Sequence, residues 1–141
     1  MSRIFWDTML FIYLLEGNDA KTERVVHLLK TSRDRGDSLF TSHLVLGEVL
    51  VGAAKSPFPE KTRAILEVAE EMGIVGLPFD AGAVKTFSYL RAVRKLKIAD
   101  SINLACAASV GIDLFLTNDH QLPGLHVQGI QFVAHFEMPI L

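Results

Sequence analysis

The sequence predicts an α/β domain in which a parallel sheet is covered by helices on both faces. Three observations carry that expectation. Short apolar runs alternate with longer amphipathic segments along the chain, as strands joined by helical crossovers do. The segment 97–119, KIADSINLACAASVGIDLFLTND, reads as a helix stopped by Gly111 and followed at once by a strand. That strand's run of Leu114, Phe115 and Leu116 is uniformly apolar, as burial on both faces requires. Acidic residues also fall at the ends of such elements, Asp7 and Asp119 after strands and Asp100 at a helix start, where open α/β sheets gather ligand chemistry.

With 141 residues, the expected organisation is one domain over 1–141, long enough for a sizeable core. Half of the residues (50%) are hydrophobic, a rather apolar balance whose surplus points to a surface covered by a partner. No run approaches the roughly 18–20 apolar residues of a membrane span. The polar start, MSRIFWD, is not a signal peptide, so the expected location is cytoplasmic. A lone Cys106 excludes a disulfide framework and a cysteine-rich metal site. The net charge of −2 gives no general electrostatic footprint for nucleic acid, so any such binding must come from a local patch or a metal.

In chain order, residues 3–6 suit a strand closed by Asp7 and Thr8, and 9–15 a first helix ended by Gly17 and Asn18. Asp7 serves equally as the N-cap of that helix. Residues 20–35 are amphipathic, with Val25, Val26, Leu28 and Leu29 inward and Lys21, Glu23, Arg24, Lys30 and Arg33 toward water. After the turn at Gly36 and Asp37, residues 38–41 form the second strand candidate, and Ser42 can cap a helix over 43–54. Leu44, Val45, Leu46, Val49, Leu50 and Val51 make that helix apolar on nearly every side, with Glu48 among them. A buried carboxylate needs a counter-charge, so Glu48 calls for either a basic side chain or a metal.

Residues 55–59 form a loop with two prolines, and 60–72 an amphipathic helix with Ile65, Leu66, Val68 and Ala69 inward. Gly73 stops it ahead of a third strand candidate over 74–77. Asp80 caps a helix over 81–95, whose end carries the one basic cluster, Arg91, Arg94, Lys95 and Lys97. Cations at a helix C-terminus are favourable for dipole reasons alone, and the same cluster can contact phosphates of an anionic ligand. In the next helix, capped by Asp100, Ile102, Ala105, Cys106, Ser109 and Val110 recur at helical spacing. Past Asp119 a loop leads to a last strand candidate over 130–133, and the apolar end, 136–141, lies across the core or a partner. Trp6 reads as core. His27, His43, His120, His126 and His135 lack ligand spacing, and Asp113 reads as a turn residue close enough in sequence to support the site.

Carboxylates gathered at one sheet edge repel unless a cation joins them, and Mg²⁺ or Mn²⁺ suits hard oxygen donors. Such an ion in an open cleft can activate water and offset charge in phosphodiester displacement. The segments FWDTMLFIYLLEG, TSHLVLGEVLVG and KIADSINLACAASVGIDLFLTND resemble the PIN-domain family of metal-dependent ribonucleases, and within it the VapC-like toxins. The resemblance covers nearly the whole chain, and its last segment is the most specific. It implies a three-layer α/β/α fold with a central parallel sheet, and an acidic metal set at Asp7, Glu48, Asp100 and Asp119 with Thr117 as a hydroxyl helper. It also implies Mg²⁺- or Mn²⁺-dependent RNA cleavage by a homodimer held off by a small antitoxin. An RNA-processing nuclease without an antitoxin and a non-catalytic metal-binding interaction module are the other readings. A receiver domain is excluded because Asp7 has no acidic neighbour and no lysine follows Lys97, and a DxDxT phosphatase because Met9 stands where its second Asp belongs.

Overall fold

A computed structural model describes residues 1–17 and 19–141. Among them, β1 (Arg3–Trp6), β2 (Ser38–Ser42), β3 (Val75–Leu77), β4 (Ile112–Thr117) and β5 (Ile130–His135) form one sheet in the order β3-β2-β1-β4-β5. Every neighbouring pair is parallel. The helices are α1 (Thr8–Glu16), α2 (Ala20–Arg35), α3 (His43–Ala54), α4 (Glu60–Glu71), α5 (Val84–Ala92) and α6 (Ile98–Val110). The chain steps from β1 through β2 to β3 in one direction and then returns by α5 and α6 to β4, on the other side of β1. Right-handed crossovers therefore put α5–α6 on the face opposite α1–α2. This is the three-layer α/β/α arrangement with a central parallel sheet that the sequence led us to expect.

The middle of the sheet is its driest part. Ile4, Phe5 and Trp6 are all fully buried, so β1 is covered on both faces, and in register Phe5 stacks on Phe115 of β4 at 4.6 Å between ring centroids. α6 is buried nearly all round from Ser101 to Ala107, its small residues Ala105, Cys106 and Ala107 allowing close approach. Burial pushes the Cys106 thiol up to about 11, which leaves it an inert core group. Gly129, at φ +98, passes so close to the end of α6 that a Cβ there would lie 2.5 Å from the Ala108 carbonyl oxygen.

Several boundaries differ from expectation, each for a local reason. α2 and α3 have the expected limits because their caps are explicit in the sequence: Gly36 in the left-handed region ends α2, and the Ser42 hydroxyl accepts the Val45 N–H at 2.9 Å. The expected end of the first helix at Asn18 lies outside the described residues; Gly17 is its C-cap. α6 begins at Ile98, two residues before Asp100, so Asp100 lies in the first turn and is not the cap. The expected helix over 81–95 is a single 3-10 turn (Ala81–Ala83) followed by α5, and Lys95 turns the chain away at φ 57. Val26 and Leu66 face solvent, and no residue of α4 is fully buried, so that helix lies on the outside of the molecule. Ser109 is exposed as well. The apolar end lies across this chain's own core: Phe136 is buried, Ile140 and Leu141 pack beside it, and Arg24 donates to the carbonyls of Phe136 and Met138. No helix of the described residues is long and apolar enough to cross a membrane.

Candidate active site

β1 and β4 are neighbours whose outgoing connections leave in opposite directions, which opens a crevice at their carboxyl ends. Asp7 follows β1 directly, and its N–H donates to the Leu116 carbonyl of β4 at 3.0 Å. Thr117 closes β4 and Asp119 lies two residues further on. Asp100 leans in from the first turn of α6, and Glu48 from the middle of α3. Thus five separate positions in sequence reach one edge of the sheet.

Asp7 is the anchor. Its residue is only 8% exposed, and both oxygens are engaged: the Thr8 N–H donates to Oδ1 at 2.8 Å and the Thr117 hydroxyl to Oδ2 at 2.9 Å. The same Thr117 Oγ1 accepts the Asp119 N–H at 3.1 Å, so one hydroxyl ties the first acid to the loop bearing the last. Asn103, one turn beyond Asp100, approaches Asp7 Oδ1 with its amide at 3.5 Å and accepts from the Ser42 hydroxyl at 2.6 Å. Sequence reasoning missed this Ser42–Asn103–Asp7 chain. Its signal was present, since Asn103 is an amide within the most apolar stretch of α6 and three residues from Asp100, hence on the same face.

The proximity of these groups has an electrostatic consequence. Burial raises the Asp7 carboxyl above its ordinary 3.8, with Glu48 and Asp119 adding to the rise while the Thr8 and Thr117 bonds oppose it. Asp100 is raised by burial and then by Asp7 and Asp119, against an opposing pull from Lys97. Asp119 thus acts on both Asp7 and Asp100, and Glu48 acts on Asp7. Among the described residues the one lysine or arginine paired with a carboxylate is Arg35, with Asp37, so none of the four acids touches a lysine or arginine.

Two expectations about the site need correction. Glu48 is exposed, not buried among apolar neighbours: it shares an outward strip of α3 with Gly47, Val51 and Gly52, and its Oε1 accepts the Thr8 hydroxyl at 3.2 Å. Asp113 is remote from the crevice, because it lies near the amino end of β4 and there accepts the Arg3 N–H at 2.8 Å. The basic cluster is exposed, but Arg91 is occupied, its Nη1 donating to the Leu96 carbonyl at 2.8 Å.

Residues 4–125 match the PIN domain family. The chain belongs to the PIN-domain family. Its fold is shared with a chain of the VapBC2 structure from Rickettsia felis bound to a promoter DNA fragment, at 14% identity, TM-score 0.75, and coverage of 94% of this chain and 98% of that one. A chain of DNA-bound VapBC from Salmonella typhimurium is 23% identical at TM-score 0.72, over 96% of this chain and 99% of that one. The sarcin-ricin loop cleaving toxin VapC20 of Mycobacterium tuberculosis is 17% identical at TM-score 0.65, over 87% of this chain and 96% of that one. No curated protein sequence matches significantly. In this PIN domain Asp7 and Asp119 follow the two strands that flank the switch point, and Asp100 acts on the same edge from α6.

The donor chemistry of the crevice fits a hard divalent cation. All donors are oxygens, Asp7 and Asp100 are raised by burial and by neighbouring carboxylates, and no lysine or arginine is in contact with them. No three His, Cys, Asp or Glu side chains among the described residues stand close enough to enclose an ion by themselves. Mg²⁺ does not need such a cage, since it is held by one or two carboxylates and keeps several waters.

Proposed function

We propose that this PIN domain is a Mg²⁺- or Mn²⁺-dependent endoribonuclease and the toxin of a toxin–antitoxin pair. The observation that carries the reading is the trio Asp7, Asp100 and Asp119, brought from three segments to the sheet's switch point with no lysine or arginine in contact. Asp7 and Asp119, joined through Thr117, are the ligands we assign first, with Asp100 beside them. Glu48, exposed across from Asp7, is free to accept a proton from an attacking water or to bind through water. A bound divalent ion supplies Lewis-acid stabilisation of the phosphate and a more acidic water. Thr117 and Asn103 hold Asp7 in one rotamer, a positioning task that leaves the chemistry to the acids. RNA is the substrate because the family resembled in sequence cleaves it.

The antitoxin reading is supported by the structures whose fold this chain shares, which are named as VapBC complexes or VapC toxins. It is supported too by apolar surface left outside the core, including Phe58 and, on α4, Leu66. A homodimer in the cytoplasm is the form we assign to the free protein, since the apolar fraction exceeds what one small core requires. The test has two arms. Purified protein should cut single-stranded RNA with Mg²⁺ or Mn²⁺, stop with a chelator, and stop on Asp100→Asn. Its expression should arrest growth, and co-expression of the product of the neighbouring reading frame should relieve the arrest. Cleavage without growth arrest would point to a processing nuclease.

A further inference from the structure

A column of rings runs from α1 to the acidic crevice. Tyr13 packs on Phe136 at 5.3 Å between centroids, Phe136 on His135 at 5.0 Å, and His135 on His120 at 4.2 Å with the last two rings only 14° from parallel. Phe136 and His135 are buried, so the base of the column belongs to the core, while His120 is exposed. His135 is fixed by both nitrogens. The Glu137 N–H donates to its Nδ1 at 3.2 Å, so that atom carries no proton and Nε2–H is left to donate to the Asn118 carbonyl at 3.2 Å. His135 is also in register with Thr117 across the β4–β5 pair, and His120 directly follows Asp119. An exposed imidazole is therefore held flat on a rigid support, one residue past Asp119. Next to it lies an open pocket of about 570 Å³, walled by His120, His135, Pro123, Met138 and Pro139 with Glu137 at its side.

We propose that this pocket is a nucleobase subsite, in which a base flanking the cleaved phosphate stacks on His120. The inference rests on the ribonuclease reading and deepens it. With a net charge of −2 and a crevice lined by carboxylates, phosphate contacts fall to a bound cation and the short basic loop. A contact that needs no charge therefore adds to the grip on a single strand. Stacking on a flat ring needs no positive charge and tolerates any base, since every base has a π-face. The pocket offers such a ring at the right place and fixes it in advance, so little side-chain entropy is lost on binding. Its remaining walls are proline and methionine surfaces suited to the flat face of a base rather than to a phosphate.

The test is fluorescence anisotropy of an end-labelled single-stranded RNA, with Mn²⁺ present and in the Asp100→Asn background so that turnover does not interfere. Adding His120→Ala should weaken binding by about 5- to 100-fold, the worth of one base–aromatic stack. His120→Phe should restore it, and the salt dependence should be the same in all three proteins. An abasic nucleotide walked along the RNA should reproduce the loss at one position only, and there His120→Ala should have no further effect. Unchanged binding in His120→Ala, or a loss that His120→Phe does not rescue and that flattens the salt slope, would overturn the subsite. If the parent chain cleaves RNA with metal while binding ignores His120, only the subsite falls. If the parent neither binds nor cleaves RNA with either metal, the ribonuclease reading falls and takes the subsite with it.

Discussion

Aspartates occupy both edges of the same sheet, and they are treated in opposite ways. At the amino edge Asp37 accepts the Ser2 N–H at 2.6 Å and pairs with Arg35 at 3.4 Å, and Asp113 accepts the Arg3 N–H. Each is a fastening between the chain's first residues and a neighbouring strand. At the carboxyl edge Asp7, Asp100 and Asp119 face one another, two of them with raised pKa values, and none has a lysine or arginine in contact. Such an arrangement costs stability unless a counter-charge relieves it, and that cost marks the carboxyl edge as the functional one. Residue type is therefore a poor guide to function here, and partnership is a good one.

The largest effect that separates the two edges should be on cleavage. Asp100→Asn and Asp7→Asn each remove a charge from the set proposed to hold the cation, and cleavage should drop by about 100-fold or more, since such an ion contributes several kcal/mol to the transition state. Asp113→Asn should cut RNA like the parent. Rates measured with saturating Mn²⁺ would check both, and equal losses at the two edges would erase the contrast.

Next in size is the response of stability to metal and pH. An acid whose folded pKa lies above its unfolded value binds more protons when folded, so stability falls as pH rises from about 3.8 through the raised values and stays at the lower level beyond them. Metal-free protein should thus lose thermal stability across that window. Mn²⁺ at about 100 times its Kd should return about 2.7 kcal/mol, roughly 10 °C for a domain of this size. Asp7→Asn should be more stable than the parent without metal at pH 7, by about 2–5 °C, and should lose most of the Mn²⁺ shift. Calorimetry with and without metal reads all three. A parent whose melting point ignores Mn²⁺ would leave the repulsion at the carboxyl edge unexplained.

What the sequence disclosed follows the same division. Elements bounded by a local signal, such as the Ser42 cap and the Gly36 and Gly111 stops, could be delimited from residue type. α6 has no such signal at its start: it follows Lys97, whose side chain caps nothing, so the nearby Asp100 drew the boundary two residues too late. Glu48 was misjudged because a helix apolar nearly all round does not reveal which strip packs inward; that is decided by what α3 leans on, namely α1, α4, α6 and the β2–β3 edge. The acids at strand ends were legible, since a carboxylate after an apolar run is conspicuous. The Ser42–Asn103–Asp7 chain was not, because its members are 61 and 96 residues apart in sequence and meet only through the sheet order.

At the amino edge the expected effect is smaller. Asp113→Ala removes an acceptor from the exposed Arg3 N–H, a bond worth about 1 kcal/mol, and should lower the melting point by about 3–5 °C while leaving the Mn²⁺ shift intact. Loss of the metal response there would mean that the two edges are coupled through β1 and β4.

The smallest effect tests the basic loop that leads into the acidic edge. Arg91 and Arg94 are three residues apart and carry the same charge, yet Arg91 spends a guanidinium donor on the Leu96 carbonyl, which braces the turn made by Lys95 at φ 57. No such bond occupies Arg94 among the described residues, and Lys97, just ahead of Asp100, already acts on that carboxyl. If the loop steers RNA by charge, each phosphate contact adds about 0.7 to the slope of log K against log salt for a single strand. Arg94→Ala should therefore flatten the slope by about that amount and weaken binding equally across sequences. Arg91→Ala should instead lower stability, and it should alter binding only as far as the turn before α6 loosens. Anisotropy titrations across a salt series, run beside thermal melts, separate the two residues. Equal slopes for both variants and the parent would show that the cluster only matches the dipole at the end of α5, and that the grip on RNA must come from the acidic edge itself.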